Sequence, residues 1–172
     1  MRKLKKLFLF LPVLLSISCA VKIKTIEDDF YGEKNTYYQT SYMDIDNISL
    51  RFTAYKNLQI IIVEALYTSS SAFTVSKNDN IVLRFNDNTF INLNYSGNTP
   101  SVYSYYYYNS YLQMSFPANN YTISANAKIN NIGILTAIRI ENSGGFRNLD
   151  ITPSFAKKFK KAYEDIKNKI NE

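Results

Sequence analysis

The chain has 172 residues, with 15 Tyr, 11 Phe, a single Cys, and neither His nor Trp. Without histidine and with one thiol, it excludes a Ser-His-Asp triad, a Cys-His pair and a zinc site of the usual His/Cys type. Formal charge is +6, from 20 Lys+Arg against 14 Asp+Glu, but Arg2, Lys3, Lys5 and Lys6 all precede the first apolar run. Without these four the balance is 16 against 14, which removes the electrostatic case for nucleic-acid binding.

Those four cations lead into Leu7–Leu15, an apolar run followed by the small residues Ser16 and Ser18. A basic start, a short apolar core and small residues behind it are the parts of a secretory signal. The core is shorter than the roughly 20 apolar residues that a membrane span needs. Leu15-Ser16-Ile17-Ser18-Cys19-Ala20 resembles the lipobox of bacterial lipoproteins, in which a small residue precedes a cysteine that becomes the acylated N-terminus. Ile17 and Ser18 fit that pattern; Ser16 departs from it, since an aliphatic residue is usual three positions before the cysteine. The resemblance implies a signal peptide over residues 1–18 and lipidation of Cys19 by acyl chains such as palmitate. A lone cysteine has no internal disulfide partner, so lipidation also gives it a use. The competing readings are an ordinary signal cut near Ala20 and an uncleaved anchor.

About 150 residues follow, enough for one domain. Aromatic and β-branched residues favour strands, and abundant Asn, Asp, Ser and Gly supply turns, so the class is mainly β. Residues 19–35 read as a lipid-anchored tether or an edge strand, and residues 36–172 as a single β-rich domain. Thr36–Met43 reads as a strand. Ile48–Tyr55 alternates apolar and polar, a half-buried strand, and pairs through Lys56-Asn57 with the apolar run Leu58–Tyr67. Thr68–Ala72 reads as a loop. Ile81–Phe85 and Thr89–Tyr95 form a second hairpin around Asn86-Asp87-Asn88, residues that tolerate positive φ. Val102–Phe116 reads as one or two strands and Tyr121–Ser124 as a strand start. Residues 125–131 are open between strand and helix. Ile134–Ile140 and Phe146–Ile151 close the sheet, with Asn142–Gly145 as a turn.

A helix is predicted at about residues 153–170. Thr152 is placed to cap it, and Pro153 takes the first position, where its missing N–H costs nothing. Phe155, Phe159, Ala162, Tyr163, Ile166 and Ile170 recur at intervals of three and four, forming one apolar stripe with lysines on the other faces. Burying its two Phe, one Tyr and two Ile gives on the order of 8–12 kcal/mol gross, at ~1.5–3 each. The expected architecture is an antiparallel β-sandwich-like domain with one C-terminal amphipathic α-helix.

Asp29-Phe30-Tyr31-Gly32, Leu50-Arg51-Phe52, Lys77–Leu83 with Asn86–Ile91, Ile138-Arg139-Ile140 and the Phe155–Tyr163 helix together resemble a domain of uncharacterised exported bacterial proteins. That resemblance implies a β-sandwich closed by a helix and assigns no activity.

The candidate sites are few. Alternate tyrosines of a strand point to opposite sides, so Tyr103, Tyr105 and Tyr107 would form a row able to stack on sugar rings or grip a peptide. The competing reading is an edge strand whose tyrosines are explained by β-propensity alone. Asp44–Asn47, Asn78–Asn80 and Asn86–Asn88 lack the carboxylate density of a calcium site and read as turns. The helix lysines read as a solvated face, with anionic lipid headgroups as the alternative. Glu64, inside an apolar strand, is the one carboxylate whose burial would matter, and a solvent-facing strand position is the simpler account. No cofactor or metal is expected.

The sequence therefore leads to the expectation of an exported lipoprotein of the cell envelope. It would be anchored through Cys19 to the outer membrane or the outer face of the cell membrane, with a structural or binding role and no enzymatic chemistry. Its partners would be membrane lipid and a glycan or protein. The alternative is a carbohydrate- or peptide-binding accessory module that uses the tyrosine row.

Overall fold

A computed structural model describes residues 21–28, 35–69, 78–96, 121–142 and 144–172. Their strands are β1 (Ile23–Asp28), β2 (Asn35–Thr40), β3 (Met43–Ile45), β4 (Ile48–Tyr55), β5 (Ile60–Ser69), β6 (Asn80–Phe85), β7 (Phe90–Ser96), β8 (Tyr121–Ile129), β9 (Leu135–Asn142) and β10 (Gly145–Asp150). One helix follows, α1 (Pro153–Asn171). The class is mainly β, antiparallel, with a single C-terminal helix, as the alternation and the apolar stripe required.

All the strands join one sheet in the order β1-β2-β4-β5-β8-β7-β6-β9-β10, with β3 on β4. Hydrogen bonding runs without a break through β8, which pairs β5 on one side and β7 on the other. The strands thus form one continuous sheet, and its inner residues and the helix share one hydrophobic core, an arrangement consistent with sandwich-like packing. Strands β6, β7 and β8 form a meander, and β9 returns to lie beside β6, the connectivity of a Greek key.

Strand alternation sets the inner face. Ile48, Leu50, Phe52 and Ala54 of β4 are buried, as are Ile61, Val63, Ala65 and Tyr67 of β5 and Ile81, Leu83 and Phe85 of β6. The segment open between strand and helix is strand as far as Ile129, because Ile123, Ala125 and Ile129 turn inward against β5. Three local differences from the sequence reading have simple causes. The predicted Thr36–Met43 strand is divided into β2 and β3. Both pair with β4, but the register shifts by one residue between Gln39↔Thr53 and Met43↔Leu50, which marks a bulge. There the Thr40 hydroxyl accepts from the Phe52 N–H at 2.9 Å and fills the missing rung. The β4–β5 connection takes four residues rather than two, with Gln59 at φ +52, so Leu58 lies outside the strand and is exposed. β5 also continues to Ser69, through residues read as loop, because Thr68 and Ser69 pair with Thr122 and Tyr121.

Helix α1 begins as its sequence dictates. The Thr152 hydroxyl accepts from the Phe155 N–H at 3.3 Å, and Pro153 follows it. The predicted stripe is buried together with Ala156. Phe159 and Tyr163 pack on Phe52, with ring centroids 4.8 and 5.8 Å apart. The helix touches β2 and β4 near one end of the strand order and β9 near the other. It also grips the β8–β9 connection. Lys160 Nζ donates to the Ile132 carbonyl at 2.6 Å, Lys167 Nζ to Asn131 Oδ1 at 2.8 Å, and the Tyr163 hydroxyl to the Asn130 carbonyl.

Candidate functional site

The outer face of β7-β6-β9-β10 carries the side chains that alternate away from the core. Register aligns them in rows. Phe90 lies beside Arg84, Arg84 beside Ala137, and Ala137 beside Asp150. The next row is Asn92, Val82, Arg139 and Asn148. Beyond it Glu141 lies opposite Phe146. The middle positions Val82 and Ala137 are short and the surrounding ones long. The result is a concavity of about 800 Å³ on the sheet face, with Val82 and Ala137 in its lining.

One end of this groove is shaped by a second bulge. Arg84 pairs with Ala137 but Phe85 with Leu135, leaving Thr136 as the extra residue of β9. The Thr136 hydroxyl donates to the Arg84 carbonyl at 3.1 Å, which compensates the interrupted ladder. The adjacent β6–β7 turn has Asn88 at φ +61. Asp87 accepts from the Thr89 hydroxyl and N–H at 2.6 and 3.0 Å, and these bonds hold its carboxyl below the usual range.

The groove's polar side chains are lightly committed. Arg139 Nε donates to Asn148 Oδ1 at 3.0 Å, and its guanidinium lies 4.4 Å from the centroid of the Phe146 ring. Arg84 Nη2 reaches Asn88 Oδ1 at 3.4 Å. Among the described residues neither guanidinium forms an ion pair. Phe90 and Phe146 are 60% and 64% exposed, unusual for rings of that size. Beneath the groove, on the inner side, Tyr95 donates to the Glu141 carbonyl at 2.6 Å, and burial drives its pKa well above the ordinary tyrosine value.

The other half of the outer face is internally satisfied. Glu64 faces outward, paired to Arg51 Nε and accepting from the Thr53 hydroxyl at 2.9 Å. Gln39 Nε2 donates to Thr53 Oγ1 at 3.1 Å, and the Arg51 guanidinium lies 4.5 Å from the Tyr42 ring centroid. Burial raises the Tyr42 and Tyr55 pKa values. Glu64 is thus partnered by both Arg51 and Thr53 on a half-covered surface.

The turn candidates behave as turns. Asp44 accepts from the Ser49 hydroxyl at 2.6 Å, Asn80 Nδ2 donates to the Asn78 carbonyl at 3.0 Å, and Asp46 sits at φ +49 within 3.8 Å of Arg147. Among the described residues no group of three or more His, Cys, Asp or Glu is placed to hold a metal. The helix lysines divide: Lys160, Lys161, Lys167 and Lys169 have hydrogen-bond partners within the fold, such as Lys161 on Asp165 at 3.0 Å. Lys157 and Lys158 are exposed. Cys19, residues 1–18 read as a signal peptide, and Tyr103, Tyr105 and Tyr107 lie outside the described residues. The sequence did not single out the outer groove. Its signals were the outward Arg84 and Arg139 within otherwise apolar strands, and phenylalanines at the strand starts, where alternation alone does not fix their side.

No family model matches the chain, and no curated protein or solved structure shows significant similarity to it. Among the described residues no helix is long and apolar enough to cross a membrane.

Proposed function

We propose that this chain is an exported lipoprotein with a non-catalytic binding role, tethered through Cys19 outside the cytoplasm. The observation that carries the binding role is the outer-face groove, where guanidinium groups free of ion pairs, amides and carboxylates surround a short-residue floor, with the exposed Phe90 in its lining and the exposed Phe146 beside Arg139. Side chains this costly to leave on a surface mark a place where something else is contacted. Anchoring is supported by the basic, apolar and small-residue order that ends at Cys19. Ile23, the first residue of β1, is the fourth residue after Cys19, so the sheet edge would stand within about 14 Å of the lipidated residue at ~3.3–3.6 Å per residue. Several acyl chains on one cysteine anchor stably where one does not. The partners are then membrane lipid at Cys19 and a ligand at the groove, with the protein on the outer membrane or the outer face of the cell membrane.

Labelling cells with a clickable fatty acid tests the anchor. Wild type is expected to carry label and Cys19→Ala none; equal label on both ends the lipoprotein reading.

A further inference from the structure

We infer that the outer-face groove is built for a neutral, extended, polyhydroxylated ligand, an uncharged oligosaccharide; this deepens the binding role proposed above and rests on it. Charge comes first. Arg84 and Arg139 stand among Glu141 and Asp150, two of each sign, interleaved across three strands. A surface balanced in this way has no single-signed field to gather an anion or a cation.

Hydrogen-bonding capacity comes second. Guanidinium groups only donate, carboxylates only accept, and the amides of Asn92 and Asn148 do both. Asn148 spends one acceptor position on Arg139, and among the described residues the Asn92 side chain has no partner. A ligand that meets all three kinds of group at once must give and accept at neighbouring atoms, as hydroxyl groups do.

The two rings set the length. Phe90 lines the concavity on β7, and Phe146 stands just outside its lining on β10, opposite Glu141 and 4.4 Å from the Arg139 guanidinium. Three strand spacings of ~4.8 Å and four residues of ~3.4 Å rise separate them, a diagonal of roughly 20 Å. One small ring does not span that distance; a chain of linked rings does, presenting C–H faces to the phenyl groups and hydroxyls to the amides between. A peptide added as a strand would instead require a bare sheet edge, whereas this concavity lies across the faces of four strands.

The test uses the full chain, purified in detergent, on an array of neutral and acidic oligosaccharides and unrelated peptides. Hits are titrated at low and high salt. Binding of neutral oligosaccharides is expected, insensitive to salt, and weakened at least about tenfold by Phe146→Ala and by Asn92→Ala. Both positions are exposed, and thermal melting confirms that each variant folds. Salt-sensitive binding of acidic glycans alone overturns the neutral class while leaving a binding role in place, as does capture of peptides alone. Neutral glycan binding that survives both changes but is lost in Tyr105→Ala/Tyr107→Ala overturns the assignment to the groove. An array without any hit overturns this inference and the binding role together.

Discussion

Gly133 lies in the connection from β8 to β9, and its φ is not in the left-handed region, so its smallness rather than its backbone freedom is what the fold uses. A Cβ built there would sit 2.6 Å from Asn86 Oδ1 and 3.3 Å from Phe85 Cβ. Asn86 Oδ1 is also the acceptor for the Ile134 N–H at 2.9 Å, while the Asn86 N–H donates to the Ile134 carbonyl at 2.9 Å. Gly133→Ala must therefore push the amide aside and break the side-chain bond. The loss of one such bond plus local displacement costs about 1–3 kcal/mol. Asn86→Ala alone removes the bond without a clash, at about 1 kcal/mol. In the Asn86→Ala background the 2.6 Å clash is gone and only the 3.3 Å approaches to Asp87 Oδ2 and Phe85 Cβ remain, which a shift of a few tenths of an ångström relieves, and a Gly→Ala change outside the left-handed region restores up to ~0.4–1 kcal/mol through the unfolded chain. Urea denaturation of the four proteins completes a double-mutant cycle. The double variant is expected to be no less stable than Asn86→Ala, giving a coupling of roughly 1–3 kcal/mol. Additive losses would show that Gly133 is constrained by something other than the Asn86 amide, and would refute this account of the crossover.

Phe159→Ala removes a fully buried ring that packs tilted against Phe52 and stacked on Phe155, and is expected to cost about 3–5 kcal/mol, lowering Tm by more than ~6 °C in a melting experiment. Glu64→Ala leaves the Arg51 guanidinium, only 26% exposed, without its carboxylate and is expected to cost about 1–2 kcal/mol. Lys161→Ala, on an exposed helix pair, should stay within about 0.5 kcal/mol by the same urea assay. Alkaline pH should destabilise the fold. Burial raises the Tyr42, Tyr55 and Tyr95 pKa values above 10.0, so the stability linked to them is complete below about pH 10 and is lost as pH rises toward the folded values. Melts from pH 8 to 12 should show that decline, with a shallower slope in Tyr95→Phe.

Much of the architecture was legible because periodicity encodes it directly. The β4 alternation from Ile48 to Tyr55 fixed a face, and the 153–170 stripe fixed a helix that the structure reproduces from Thr152 onward. The bulge after Thr40 was not legible, since a one-residue slip leaves composition unchanged and depends on the Phe52 N–H finding a hydroxyl. Residues 125–131 were ambiguous because Ala, Asn and Lys carry little strand preference; the pairing of β8 with β5 decided the matter. The groove was illegible for a similar reason. Arg84 and Asn92 sit on one hairpin and Arg139 and Asn148 on another far away in the chain, and only the Greek-key return of β9 beside β6 brings the two pairs into adjacent rows.

Helix α1 comes after all the strands in chain order, yet it touches strands near both ends of the sheet, β2 and β4 on one side and β9 on the other. A nascent chain can zip β4 to β5 and β6 to β7 early, because those partners are close in sequence. Phe52 stays uncovered until Phe159 and Tyr163 arrive. Because Phe159, Tyr163 and Ile166 belong to the same core as the strands, completion of that core waits for α1. Premature termination ahead of Pro153 would thus unseat a keystone, leaving half-open intermediates to quality-control proteases.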